Sequence, residues 1–243
     1  MEVRSLGTVL KAVILAGLLA GLTLAVFHSL LTEPVIDRAI AIEESREGHL
    51  EEGPPLVSRD TQKRGLVVGS LLYGVFVGLI FGGVFYLAQS TLPTRRVLTR
   101  AALLALGAYW LLVALPFLKY PANPPGVGQP ETIEYRQALY LGFLLLSMLG
   151  GVAAAVAAQR GVPRFVAAAG YAVFVLALYL LMPPNPDPIE IPLEIVLRFR
   201  ALSLAGLTLF WLVLGLASGL LAEHLQPNGD SRNLQPRTAS EPS

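Results

Sequence analysis

Residues 6–31 read LGTVLKAVILAGLLAGLTLAVFHSLL, a run in which Lys11 is the only formally charged side chain. About 20 consecutive apolar residues suffice to cross the hydrocarbon core of a bilayer. Further runs meet or approach that length at residues 65–89, 97–118, 138–158, 165–182 and 201–222. The sequence therefore predicts an all-α integral membrane protein, a bundle of six transmembrane helices arranged as three hairpins.

The composition supports a membrane protein and excludes several kinds of site. The 243 residues are 54% hydrophobic and 14% charged, whereas a soluble domain carries about 25% charged residues. The absence of cysteine removes disulfides, zinc–thiolate sites, iron–sulfur clusters and thiol nucleophiles. There is no phosphate-binding glycine loop, no dinucleotide fingerprint and no His-Glu-x-x-His motif. We therefore expect neither an enzyme, nor a tightly bound cofactor, nor a nucleic-acid partner.

The short connections predict the orientation in the membrane. Those after the second and fourth runs are basic, with Arg95 and Arg96 in one and Arg160 in the other. Positive residues in short loops mark the cytoplasmic side, so we expect both termini to be cytoplasmic. Thirteen of the seventeen acidic residues then lie outside. An acidic outer face would concentrate cations there, or it would simply keep the loops solvated.

Residues 1–225 are predicted to form the membrane domain. Within it, residues 35–60 begin with apolar and charged residues alternating at helical spacing, which indicates an amphipathic segment at the outer surface. Residues 226–243 are polar and without periodicity, and are predicted to be a disordered cytoplasmic tail.

Glycines four residues apart recur in three of the runs, and this spacing lets helix backbones approach closely in lipid. These predicted packing positions are Gly17 and Gly21, then Gly74, Gly78 and Gly82, and finally Gly215 and Gly219.

The first run ends in FHSLLTEPVIDR, residues 27–38, where His28, Glu33 and Asp37 form a candidate entry site for a metal cation. Nitrogen and carboxylate ligands suit divalent cobalt, nickel or manganese. His28 and Glu33 lie about 140° apart on a straight helix, so they meet at one ion only if the bend at Pro34 rotates them together. Otherwise the two carboxylates share a proton or pair with a basic residue, and His28 hydrogen-bonds at the interface.

Two proline-rich connections, predicted to be outer loops, resemble one another. Residues 120–136 read YPANPPGVGQPETIEYR and residues 182–200 read MPPNPDPIEIPLEIVLRFR. Each contains Pro-x-Asn-Pro and an arginine thirteen residues after the asparagine. This suggests a repeat of runs 3–4 in runs 5–6, with chance similarity as the alternative. The side chains that could offer oxygen to a metal, or simply cap the loops, are Asn123, Glu131, Asn185, Asp187 and Glu190.

Four stretches resemble the CbtA family, which comprises proposed cobalt transporter subunits of prokaryotes. They are FHSLLTEPVIDRAIAIEE, KRGLVVGSLLYGVFVG, PFLKYPANPPGVGQPETIEYRQALYL and IPLEIVLRFRALSLAG. The resemblance covers about residues 10–222 and designates no ligand residues. It implies cobalt uptake linked to vitamin B12 synthesis, and a small partner, CbtB, with one membrane helix and a histidine-rich end. The family is usually described with five membrane segments, and residues 165–182 are the weakest of the six predicted here.

The leading hypothesis is a membrane subunit of a divalent cation transporter in the prokaryotic cytoplasmic (inner) membrane, with cobalt(II) as the transported ion. A chain with three histidines and no cysteine suits a weak, oxygen-rich pathway that receives ions from a histidine-rich partner, because a conduit must also release what it binds. The alternative is a non-transporting membrane scaffold or accessory subunit whose glycine stripes and proline loops dock partner proteins.

Overall fold

The computed structural model of the chain describes residues 5–47, 57–92, 94 and 96–225, and every regular element in these residues is helical. The predicted tail, residues 226–243, and the middle of the predicted amphipathic segment, residues 48–56, lie outside the described residues. Six helices within the described part are long and apolar enough to span a membrane. By length and composition, this confirms the predicted number of spans.

The helices follow one another in chain order, and two of the six spans contain a π turn. The helices are α1 (Leu6–Phe27), α2 (Glu33–Glu47), α3 (Arg59–Ala88), α4 (Val97–Tyr109), α5 (Leu115–Lys119), α6 (Ile133–Gln159), α7 (Arg164–Leu181) and α8 (Leu193–His224). The π turns His28–Thr32 and Trp110–Ala114 join α1 to α2 and α4 to α5. Residues 120–132 and 182–192 lie at the same end of the bundle, which we call the proline-loop end.

Both π turns end two residues before a proline. The Glu33 N–H donates to the His28 carbonyl, and Pro34 follows; the Leu115 N–H donates to the Trp110 carbonyl, and Pro116 follows. Proline lacks an N–H and its ring crowds the carbonyl four residues earlier. A turn widened by one residue accommodates that ring. The first helix therefore continues past Pro34 for three more turns instead of ending there.

The centre of the bundle is held by close helix contacts at glycines. α1 packs against α3 and α8, and α8 also packs against α4. A Cβ added to Gly74 of α3 would collide with the Gly17 carbonyl of α1, and one added to Gly78 would lie 2.7 Å from the Val13 carbonyl oxygen. On the other side of α8, a Cβ on Gly219 would lie 2.6 Å from the Leu98 Cα. In lipid such contact supplies the packing energy that hydrophobic burial supplies in water.

The α6–α7 hairpin is attached at the periphery. α6 packs against the Trp110–Ala114 π turn and α5, whereas α7 packs against α6. All of α7 is described, and none of its residues is buried. Its 18 residues correspond to about 27 Å, close to the roughly 30 Å of a hydrocarbon core.

The proposed repeat of runs 3–4 in runs 5–6 stays a prediction. α7 packs against α6, while α8 packs mainly against α1 and α4. The two asparagines of the Pro-x-Asn-Pro motifs also have different partners, since Asn123 accepts a hydrogen bond from Arg200 and Asn185 accepts one from the Asp187 N–H.

The backbone contact of α1 with α3 predicts that Gly74→Ala lowers the melting temperature of the detergent-solubilised protein. Overpacking typically costs about 1–3 kcal/mol, which corresponds to roughly 5 °C in a chain of this size. Gly83→Ala on the same helix is the matched control, because a Cβ there has nothing within 4 Å. Equal melting temperatures for the two variants would contradict the contact.

Candidate functional site

A charge cluster of Glu33, Asp37, Arg59 and Lys63 joins α2 to the start of α3 at the proline-loop end. Arg59 donates to Glu33 and, from Nε, to Asp37 Oδ1 at 3.0 Å. Lys63 Nζ lies 2.9 Å from Asp37 Oδ2. The two acids are four residues apart in α2, and the two bases are four residues apart in α3. Each set therefore shares one face of its helix. The cluster thus matches two carboxylates with two cations.

Glu33 is the buried member of this cluster, with 7% of its surface exposed. The π turn and Val35, which is also buried, hold this part of α2 in the bundle. Arg59 is positioned by the start of α3, where Ser58 caps the helix by accepting a hydrogen bond from the Thr61 N–H. A buried carboxylate is costly unless it is paired. The local structure at both helix ends therefore supplies Glu33 with its partner.

His28 lies on a different side of the same helix. Its Nδ1 is 2.8 Å from Thr32 Oγ1, one turn later. Its ring packs against Gly206 of α8, where an added Cβ would lie 2.9 Å from His28 Cε1. Within the described residues, no three histidine, aspartate or glutamate side chains are close enough together to hold a metal ion. A shared role for His28, Glu33 and Asp37 in binding metal stays a prediction, and it requires the charge cluster to open.

Asp187 fixes the two proline-rich connections to each other. Its side chain is 1% exposed and forms an ion pair with Arg136 Nε at 2.8 Å. It also accepts a hydrogen bond from the Thr132 hydroxyl at 2.8 Å, and Arg136 donates from Nη2 to the Gln129 carbonyl at 3.2 Å. The Asn185 side-chain oxygen accepts from the Asp187 N–H at 3.1 Å. In the described conformation, these bonds hold the two proline-rich connections together.

Two of the other predicted oxygen donors at this end, Asn123 and Glu190, are also engaged. Asn123 Oδ1 accepts from Arg200 Nη2 at 2.7 Å. Glu190 pairs with Arg46 at 3.1 Å, and both of these side chains are about half exposed. Glu131 is exposed in the short 3-10 turn Pro130–Thr132. A metal-binding role for these oxygens stays a prediction.

Tyr120 adds a further bond between the connections. Its hydroxyl donates to the Pro183 carbonyl at 2.6 Å. Burial raises the pKa of the Tyr120 phenol, so the group keeps the proton that it donates throughout the neutral range. Lys119 donates to the Tyr179 carbonyl at 2.7 Å and lies 4.9 Å from the centre of the Tyr179 ring. These bonds attach the end of α7 to the end of α5.

A cavity of about 670 Å³ lies beneath the connections, between the Trp110–Ala114 π turn, α6 and α8. Its upper end includes Asn123, Arg136 and Asn185, and its deeper wall includes Val113 and Leu207. Of the described residues that line it, none is an aspartate or glutamate. The charge cluster and the cavity are therefore separate features with different chemistry.

Sequence reasoning missed Arg59 and Lys63 as the partners of the two acids. The available signal was their spacing, because both bases begin the next helix four residues apart, like Glu33 and Asp37. It also missed the second π turn, which could have been recognised from Pro116 occurring within an otherwise apolar helix.

A comparison with protein-family models matches residues 6–223 to the family described as probable cobalt transporter subunit (CbtA). No curated protein and no solved structure matches the chain.

The charge cluster predicts that Arg59→Gln destabilises the protein and that a second change, Glu33→Gln, restores it. Removing Arg59 leaves the buried Glu33 carboxylate without its partner, at a cost of about 3 kcal/mol. When Glu33 is neutralised as well, no buried negative charge remains, and this cost disappears. The measurement is the melting temperature of the four proteins of this double-mutant cycle in one detergent.

The exposed Arg46–Glu190 pair is the matched control, because Arg46→Gln should cost less than about 1 kcal/mol. Additive losses in the Glu33–Arg59 cycle, with no recovery in the double variant, would show that Glu33 does not depend on Arg59.

Proposed function

The chain belongs to the family of probable cobalt transporter subunits, and we propose that it moves cobalt(II) across the membrane through a site formed at Glu33 and Asp37. The observation that carries this proposal is the burial of Glu33 at the end of an otherwise apolar membrane helix. Ionisable residues in such places are expensive to retain and commonly mark ion pathways. Glu33 is the described carboxylate that combines this location with a neighbouring second acid, Asp37.

The proposed entry step is an exchange of charge. In the described state, the two carboxylates are neutralised by the single positive charges of Arg59 and Lys63. A divalent cation that binds Glu33 and Asp37 brings the same total charge, so Arg59 and Lys63 can turn toward water without leaving buried negative charge behind. His28 lies one turn before Glu33, and its ring packs against Gly206 of α8. It supplies a nitrogen ligand only if the opening also turns this ring toward the ion, and borderline metals accept imidazole and carboxylate together.

The exchange also explains why binding would be weak. The incoming ion must displace two cations that already satisfy the carboxylates, and this cost is subtracted from its affinity. A pathway needs ligands that release the ion as readily as they take it up. A tight cage of thiolates or several imidazoles would hinder release, and the chain has no cysteine and only three histidines.

The proposed direction is inward across a prokaryotic cytoplasmic membrane, with the proline-loop end outside and both termini in the cytoplasm. The arginines of the connections opposite the proline-loop end, including Arg96 and Arg160, support this orientation. The family description as a subunit supports a partner, and we propose a small, one-helix, histidine-rich protein resembling CbtB. The imported cobalt would serve vitamin B12 synthesis.

The second candidate function is a non-transporting scaffold that docks partner proteins. The observation in its favour is the α6–α7 hairpin, in which α7 buries none of its residues within the chain. A scaffold would co-purify with its partner in fixed proportion, and cobalt entry would not depend on Glu33 or Asp37.

The proposal predicts that replacing Glu33 and Asp37 together, by Gln and Asn, abolishes most cobalt uptake in cells that lack other cobalt importers. The reason is that the ion loses both charged ligands at the entry site while the overall fold is kept by neutral isosteres. Uptake is measured with labelled cobalt at equal protein levels, with and without the co-expressed histidine-rich partner.

The matched control is Glu134→Gln combined with Glu194→Gln, which removes two exposed carboxylates and should leave uptake within about twofold of the unmodified chain because rim charges have small effects. Unchanged uptake in the Glu33 and Asp37 double variant would reject the entry site. Equal losses in both double variants would indicate a general effect of surface charge.

A further inference from the structure

The large cavity beneath the proline-rich connections extends into the membrane-spanning part of the bundle. On α6 its lining runs from Ile133 to Leu141, a rise of about 12 Å at 1.5 Å per residue. Tyr140 and Leu141 line it, belong to an apolar span and are both exposed. The cavity is therefore open at the surface of the described residues at the level of this span, and its volume of about 670 Å³ falls within the range of small-molecule sites.

Arg200 stands at the level where the hydrocarbon begins. Residues 201–222 contain no charged side chain and span about 33 Å as a helix, which matches the roughly 30 Å of a hydrocarbon core. Arg200 immediately precedes this stretch. Along the same side of α8, Ser203 and Leu207 follow one and two turns deeper and line the cavity. This side of α8 therefore carries a cation above an apolar wall.

The charge of Arg200 is not neutralised by the described residues. Its Nη2 donates to Asn123, which lines the cavity. Its Nε is buried and has no hydrogen-bond partner within residues 5–47, 57–92, 94 and 96–225, and none of the ion pairs in those residues includes it. A buried guanidinium donor without an acceptor is costly. An anion at this position would satisfy it.

The upper end of the cavity offers mainly hydrogen-bond donors. The side-chain oxygens of Asn123 and Asn185 already accept hydrogen bonds, so each amide has its NH₂ group left to donate. Arg136 also lines this end, and its guanidinium is paired with Asp187, so Arg200 is the cation near this end that lacks an ion-pair partner within the described residues. Because no described lining residue is acidic, this end favours an anionic group over a free metal cation.

We infer that this cavity binds one anionic phospholipid from the membrane leaflet at the proline-loop end. The phosphate lies near Arg200, Asn123 and Asn185, and an acyl chain follows the apolar wall formed by Val113, Leu139 and Leu207. The depth of the cavity, its opening at the level of an apolar span and the position of Arg200, which is bonded to the lining residue Asn123 at the hydrocarbon boundary, fit this one amphiphile. An apolar partner helix would cover the apolar wall but would leave Arg200 without an anion.

The bound lipid has a structural consequence for the hairpin. α6 contributes one wall of the cavity, whereas the π turn Trp110–Ala114 and α8 contribute the opposite walls. A lipid between them fills space that side chains leave empty and so attaches the α6–α7 hairpin to the rest of the bundle. This inference concerns lipid binding in the absence of metal, and it does not rest on the proposed transport function.

The test uses the purified full-length chain in detergent and four probes. The probes are palmitoyl-oleoyl phosphatidylglycerol, phosphatidylcholine and diacylglycerol with the same chains, and inorganic phosphate. Lipid retained per chain is counted by native mass spectrometry, and the melting temperature is measured with each probe. Phosphatidylglycerol should bind one per chain and raise the melting temperature more than phosphatidylcholine, and neither diacylglycerol nor phosphate should reproduce its effect.

Two variants and a control locate the site. Arg200→Gln should weaken retention of phosphatidylglycerol by about tenfold or more, because the phosphate loses its charge-assisted hydrogen bonds, and Arg200→Lys should restore part of it. Ser203→Trp should block retention by occupying the cavity. Arg198→Gln removes an exposed arginine from the same helix and should leave retention unchanged.

Equal retention by the Arg198→Gln and Arg200→Gln variants would overturn the inference. So would equal stabilisation by phosphatidylglycerol and diacylglycerol, which would indicate an apolar groove without headgroup recognition. Stabilisation by inorganic phosphate alone would indicate an anion site without a lipid, and displacement of retained lipid by the histidine-rich partner without any dependence on Arg200 would indicate a protein-docking groove.

Discussion

The close contact of α1 with α3 is the constraint on which the other features depend. Gly17 and Gly74 bring the two backbones together at a distance that no side chain would permit. Once these helices are in contact, the register of the proline-loop end follows. The acids of α2, which continues α1, meet the bases of α3 at matching four-residue spacing. The same central helix also packs against α8, and α8 supplies both Gly206 beside His28 and Leu207 at the cavity.

The arrangement also requires the first helix to continue past Pro34. The π turn at His28–Thr32 makes this possible. It lets α2 continue from α1 and keeps Val35 and Ala39 buried in the bundle. Glu33 is thereby carried inside instead of ending in an exposed loop. That burial requires a counter-charge, which Arg59 provides, and we propose that a metal cation replaces it. The second π turn, before Pro116, applies the same local solution where the cavity is formed.

The sequence predicted the fold better than the site, and for a physical reason. Apolar length alone defines the spans, because water is absent across about 30 Å of bilayer. The partners of Glu33 could not be obtained in this way. Arg59 and Lys63 meet the acids only through the register of the helices α2 and α3, and hydropathy carries no information about register. Pro34 predicts a disturbance of the helix, but whether the helix ends there or continues through a widened turn depends on the packing around it.

The cavity illustrates a second limit of sequence reasoning. Arg200 and Asn123 are 77 residues apart, and only the packing of α8 beside the first proline-rich connection brings them together. The sequence suggested Asn123 and Asn185 as oxygen donors for a metal. In the folded chain both oxygens accept hydrogen bonds, that of Asn123 from the Arg200 guanidinium and that of Asn185 from the Asp187 N–H. Two proline-rich connections that look alike in sequence thus contribute unlike groups to one end of the bundle.

The central claim is that a divalent cation takes the place of Arg59 beside Glu33. The most direct test is the melting temperature of the Arg59→Gln variant with and without cobalt(II), in the purified chain. If the cation replaces the guanidinium, cobalt should restore much of the stability that this variant lacks, and it should have no such effect on Arg46→Gln or on the combined Glu33→Gln and Arg59→Gln variant. A melting temperature of the Arg59→Gln variant that is unchanged by cobalt would contradict the account.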